Sequence, residues 1–414
     1  MSGTALPRRL VRQALILASL MLSSQAGVAA DCSNRAAISQ AVGPMIMAGF
    51  FGTRTSDPGF QQVLTDLEDG LIGGVVILGR NVGTRDDLEA MIDRIRSCKC
   101  AAAPFIAIDD EGGTVERLGQ NIGLAETPSA ADIARGSVAA ARTAYTALAE
   151  KLAALHINMN LAPVVDLNTN PSNPIIGQRQ RSYGSDPGTV VRYAAAFIQA
   201  HRGKGILTVL KHFPGHGSST ADSHAGIADV TTTWSSAELK PYRRLIRRGL
   251  ADAIMVGHLA NARRWGGVAT QSDGHAIDRL LRRELRYDGV VMTDDLAMKA
   301  ILDAKPPAAA AIDAVKAGAD IIMFTKFSDE DQTSDVGRDI NGALTAAVCS
   351  GEIKADALQR SVARIRQWRL QWTQHGRRAL TSRPLFPTSV RRQAGAIRVP
   401  RRVARWFWMP ALPG

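Results

Sequence analysis

Between residues 45 and 350, short apolar runs of three to six residues alternate eight times with longer helix-patterned stretches. The runs are Met45–Met47, Gly74–Leu78, Phe105–Ile108, Asn158–Ala162, Leu207–His212, Ala253–Val256, Val290–Thr293 and Ile321–Phe324. The intervening stretches cover 58–69, 85–98, 129–155, 187–204, 236–249, 275–286, 305–317 and 334–350. Each run is nearly all apolar rather than alternating, which is the pattern of a strand buried on both faces of a parallel sheet. Eight consecutive strand–helix units predict an α/β fold, a single (β/α)8 barrel of the TIM type. A doubly wound open sheet is the alternative. A barrel places its working residues just past the C-terminal ends of its strands. Those positions hold Asp109, Lys211 with His212, His258, and Asp294 with Asp295.

The chain has 414 residues and a net charge of +12, which by itself suggests a polyanionic partner. The excess lies at the ends. Residues 1–30 carry Arg8, Arg9 and Arg12 and no acid, and residues 377–414 carry nine arginines and no acid. The body, 31–376, is therefore neutral and gives no footprint for nucleic acid. The first thirty residues read as a secretory signal: a basic start, an apolar stretch Ala14 to Leu22, and small residues ending Val28-Ala29-Ala30. That apolar stretch is too short to span a bilayer, so the processed chain is expected to have no integral membrane segment. The segment 377–414 lacks apolar periodicity, reads as a disordered basic tail, and ends in aromatic residues suited to a membrane surface or an anionic wall polymer. Export permits disulfides among Cys32, Cys98, Cys100 and Cys349. A bond from Cys32 to Cys98 or Cys100 would tie the mature N-terminus to the body; Cys98 and Cys100, two apart, are poorly placed to bond each other.

The densest chemistry is Lys211-His212-Phe213-Pro214-Gly215-His216-Gly217 with Asp222-Ser223-His224. Three of the chain's eight histidines fall in this stretch, at the end of a buried run. A structural loop needs the glycines and the proline but not the histidines. A zinc pair, His212 with His216, would require a helix that Pro214 breaks. The alternative is proton transfer. In a looped segment residues two apart can face the same way, so Asp222 could orient His224 and hold it near neutrality.

Two acid clusters also end strands. In Ile108-Asp109-Asp110-Glu111-Gly112-Gly113 a carboxylate can accept hydrogen bonds from a polyol, and the glycines allow close approach. In Thr293-Asp294-Asp295-Leu296 one carboxylate suffices to cap a following helix, leaving Asp294 to face the barrel mouth. Taken together, these three motifs resemble glycoside hydrolase family 3, more narrowly its single-domain β-N-acetylhexosaminidases, over residues of about 40–350. The resemblance implies a retaining mechanism through a covalent glycosyl-enzyme. Asp294 matches the nucleophile, and His224 the general acid/base with Asp222 as its partner. Asp109, Arg117, Arg181, Lys211 and His212 match substrate-binding positions, and His258 matches a pocket histidine. Arg179 competes with Arg181; Arg181 fits better because Ser182-Tyr183-Gly184 follows it. This chemistry needs no metal and no organic cofactor. The implied substrate is an N-acetylglucosamine-containing oligosaccharide or muropeptide, cleaved by a monomer in the periplasm or outside the cell. The alternatives are a β-glucosidase specificity and a non-catalytic wall-sugar-binding protein.

Overall fold

The computed structural model describes residues 32–223, 226–271, 275–325 and 335–381. Eight parallel strands close on themselves: β1 (Ile46–Ala48), β2 (Gly74–Ile77), β3 (Phe105–Ile108), β4 (Met159–Asn160), β5 (Leu207–Phe213), β6 (Ala253–Val256), β7 (Val290–Asp295) and β8 (Ile321–Phe324). Each pairs with its neighbours in chain order, and β1 closes the ring on β8 through Ile46 opposite Ile322 and Ala48 opposite Phe324. The (β/α)8 barrel expected from the alternation is the fold, and the open sheet is excluded.

The helices are α1 (Pro58–Glu68), α2 (Arg85–Arg96), α3 (Val138–Ala154), α4 (Pro187–Arg202), α5 (Leu239–Arg247), the π-type α6 (His275–Glu284), α7 (Pro307–Ala317) and α8 (Val336–Cys349). Local chemistry sets their starts. Thr84, Ser137 and Asp186 each accept a hydrogen bond from a first-turn amide of α2, α3 and α4. Pro187 at the first position of α4 has no amide hydrogen to leave unsatisfied. The single helix expected over 129–155 is two, Ala130–Arg135 and α3, because Gly136 and the capping Ser137 interrupt it.

β4 is shorter than the expected Asn158–Ala162, since Pro163 has no donor for the ladder. Pairing resumes beyond it, where Val165 donates to the Lys211 carbonyl at 2.8 Å. β7 is longer than expected and keeps both Asp294 and Asp295 within the strand.

Two helices outside the eight units were not expected from the sequence. Arg35–Val42 lies at the start, and Ala355–Thr381 packs on the N-terminal end of the barrel. In the latter, Trp368 is buried with its ring centroid 5.0 Å from that of Phe105, at the start of β3. Trp372 donates to the Gly205 carbonyl, and Arg369 to that of Gly73. This helix runs to Thr381, into the segment read as a tail; residues 382–414 lie outside the described residues. Trp368→Ala is expected to destabilise the protein by about 3–5 kcal/mol, measured as a lower urea midpoint. A change under about 1 kcal/mol would show that this helix merely lies on the surface.

The disulfide expectation is corrected. Cys98 bonds Cys100, while Cys32 and Cys349 remain thiols. After α2 ends at Arg96, the chain turns sharply enough to bring the two Cα atoms to 5.3 Å, within disulfide range.

Candidate active site

At the C-terminal end of β5 the chain turns back over the barrel, and two glycines explain how. Gly215 has φ of 118° and packs on Glu238; a Cβ on Gly217 would lie 1.5 Å from the Leu167 carbonyl oxygen. Backbone contact this close seats the histidine loop on the segment leaving β4. Within that loop Ser223 is buried, with its hydroxyl 3.1 Å from His216 Nε2, so the stretch holding Asp222 is tethered to the strand end. Asp222 is half-buried. His224 lies outside the described residues.

The three acids after β3 have three different tasks. Asp109, the least buried, accepts a 2.5 Å bond from Lys211 Nζ. Asp110 is enclosed, takes the amide of Arg117 at 2.7 Å and pairs with Lys151 at 3.3 Å; burial raises its pKa to about 6. Glu111 binds Arg181 through both oxygens, at 2.7 and 2.9 Å, and Lys211 at 2.8 Å. Burial opposes the Glu111 charge, but Arg181 and Lys211 outweigh it and hold its pKa well below the usual carboxylate range. Conversely, burial would discharge the Lys211 ammonium, and Asp109 and Glu111 keep its pKa above the ordinary lysine value.

Arg181 is buried at this junction, whereas Arg179 is exposed. Besides Glu111, Arg181 reaches the Ile175 carbonyl at 3.1 Å and approaches His212 Nε2 at 3.4 Å. His212 Nδ1 lies 2.7 Å from Asp166, so Nδ1 carries the proton and Nε2 points its lone pair toward Arg181. Asp166 is enclosed and also accepts the His212 and His216 backbone amides. Burial opposes its charge, yet the histidine partners keep its pKa below the ordinary value. The His212 and His216 rings are edge to face, and burial depresses the His216 pKa to about 4, so His216 is neutral. Arg117 Nε is buried and meets no acceptor among the described residues.

The two acids of β7 diverge. Asp295 is buried and saturated: one oxygen accepts the amides of Thr325 and Ala297, and the other accepts the Thr325 hydroxyl. Burial raises its pKa to about 7. Asp294 is half-buried and accepts the Asp295 amide at 2.8 Å. His258, expected in the pocket, is fully enclosed. Its Nε2 donates to the Asp295 carbonyl at 2.9 Å, so Nδ1 accepts from the Thr270 hydroxyl at 3.0 Å. It props the end of β7.

Sequence reasoning missed Asp166 as a site residue and left Glu111 without a role. Asp166 follows the apolar run Leu161-Ala162-Pro163-Val164-Val165, the same signal that marked Asp109 and Asp294. It also missed Glu238, a carboxyl buried beneath the histidine loop, with one oxygen 3.4 Å from the Leu167 amide. Burial and the nearby Asp166 charge raise its pKa to about 8. An unfolded glutamate titrates near about 4.3, so across about pH 4.3–8 the folded state holds more protons and stability falls as pH rises. Glu238→Gln is therefore expected to melt a few degrees above the parent at pH 8, roughly, with the gap shrinking toward pH 4.5. A gap independent of pH would contradict the assignment.

Comparison with known proteins identifies the family. The profile of the glycosyl hydrolase family 3 N-terminal domain matches residues 45–368. Beta-hexosaminidase A of Pseudoalteromonas piscicida is 32% identical over 61% of this chain and 46% of its own length. Beta-hexosaminidase LpqI of Mycobacterium tuberculosis is 34% identical over 71% of this chain and 74% of its own. A solved family 3 β-N-acetylglucosaminidase from Paenibacillus sp. superposes with a TM-score of 0.73 at 33% identity, covering 81% of this chain and 62% of that one. The chain thus spans about half of the first relative and less than two thirds of the solved enzyme. With an eight-stranded barrel, acids and a lysine gathered at its C-terminal mouth, and a profile match across the barrel, the chain belongs to glycoside hydrolase family 3.

Proposed function

We propose that the chain is a retaining exo-β-N-acetylhexosaminidase. The observation that carries the reading is the contrast between the two β7 acids: Asp295 has both oxygens engaged in the interior, whereas Asp294 stands half-buried at the strand end. A carboxylate there can support an oxocarbenium-like transition state and attack the anomeric carbon. His224, oriented by Asp222, protonates the leaving oxygen and then activates water. Asp109, held by Lys211, accepts from sugar hydroxyls. Arg117, with a buried donor awaiting an acceptor, together with Arg181, Lys211 and His212, completes the sugar site. Asp166, Glu111 and His258 position these groups.

The names of the relatives favour an acetamido sugar as substrate. The signal-like residues 1–30 favour export, and with it peptidoglycan fragments or chitooligosaccharides as the source of that sugar. No described helix is long and apolar enough to cross a membrane. The test is turnover of p-nitrophenyl β-N-acetylglucosaminide against the matching β-glucoside, by protein beginning at residue 31. A strong preference for the acetamido sugar, sharply reduced by His224→Ala, is expected. Preference for the glucoside would keep the family and overturn the specificity.

A further inference from the structure

The outer face of the barrel around α4 carries a charge distribution that the reaction does not use. Two adjoining depressions of about 420 and 380 Å³ share Arg192 and Arg248 in their walls. Arg244 and Arg247 complete the first, and Arg142 of α3 joins the second. The floor is apolar, from Val191 and Ala195 of α4. All five arginines are exposed, and none makes an ion pair with a carboxylate among the described residues. Elsewhere on the body Arg202, Arg243, Arg282 and Arg338 pair with acids.

Their guanidinium groups also converge. Arg244 Nη1 and Arg192 Nη1 stand 3.5 and 3.6 Å from the point a Cβ on Gly188 would occupy. Asp186 Oδ2 stands 3.0 Å from the same point, caps α4 by accepting the Thr189 amide and hydroxyl, and offsets part of the charge of Arg192, which donates to the Thr189 hydroxyl at 2.8 Å. One carboxylate among five guanidinium groups leaves the groove cationic, and guanidinium forks match phosphate geometry.

We propose that this groove binds a flexible polyanion bearing successive phosphate groups, one in each depression. Two open depressions side by side, sharing Arg192 and Arg248, suit successive phosphates along a strand. The site lies along the helices on the side of the barrel, so occupancy leaves the catalytic mouth open. An enzyme so equipped would be held on a phosphate-rich polymer while it works.

The test is titration of the mature chain with tripolyphosphate by calorimetry, alongside inorganic phosphate and vesicles containing phosphatidylglycerol. Tripolyphosphate is expected to bind more tightly than phosphate, and more weakly as salt is added. Arg192→Gln/Arg248→Gln should weaken it by about tenfold or more, with hexosaminidase turnover unchanged. Gly188→Glu, which keeps every arginine but places a carboxylate in the groove, should do the same. Undiminished binding in both variants would overturn the proposal and move the site to the basic segment 377–414. Binding to the vesicles but not to tripolyphosphate would overturn it in favour of a membrane surface.

Discussion

Asp294→Ala is expected to reduce turnover of p-nitrophenyl β-N-acetylglucosaminide by at least about a thousandfold, or about 4 kcal/mol of transition-state stabilisation. The loss should appear in kcat, because the carboxylate acts on charge that develops only in the transition state. Folding should be retained, since Asp294 is only half-buried, near the end of β7. Asp295→Ala is expected to behave differently. It strips acceptors from the Thr325 amide and hydroxyl and from the Ala297 amide, so its first effect is on stability. The two neighbours thus separate chemistry from architecture, and a melting curve beside each rate makes the distinction.

The second large effect is expected at Glu111. Its carboxylate is the acid that Arg181 contacts by both oxygens, and it shares Lys211 with Asp109. Glu111→Ala leaves a buried guanidinium without that partner, and breaking a buried pair from one side costs about 3–5 kcal/mol. The pH dependence has a definite sign. The folded pKa of Glu111 lies below its unfolded value of about 4.3, so its stabilisation is complete above that value and is lost as pH falls through the folded pKa. The urea midpoints of parent and variant should therefore differ fully at pH 7 and converge in acid. A constant gap, or one below about 1 kcal/mol at pH 7, would show that Arg181 and Lys211 are held by other means.

The barrel was legible because a strand buried on both faces has to be apolar throughout. That constraint marked the eight runs and pointed to a candidate site at their ends. Asp109, Lys211 and Asp294 were legible for the same reason: a charge that breaks a buried run has a purpose. The division of labour among neighbours was not. Sequence shows Asp109-Asp110-Glu111 as one acidic turn, but which acid meets Lys211, Lys151 or Arg181 depends on partners 41 to 102 residues away. Glu238 was hidden more completely. It sits at the start of α5 among ordinary helix formers, and only the fold of the histidine loop above it makes it a buried carboxyl. The helix Ala355–Thr381 was overlooked because its arginines mask an apolar edge, Ile365 and Trp368, that covers the barrel floor.

The most direct test of the catalytic assignment is to trap the glycosyl-enzyme. A 5-fluoro β-N-acetylglucosaminide with a 2,4-dinitrophenolate leaving group slows both steps, but its good leaving group lets glycosylation outrun hydrolysis. Intact mass should rise by one sugar, and peptide mapping should place that sugar on Asp294. A label on Asp295 or Asp109, or turnover with no labelled enzyme at any time, would contradict the account.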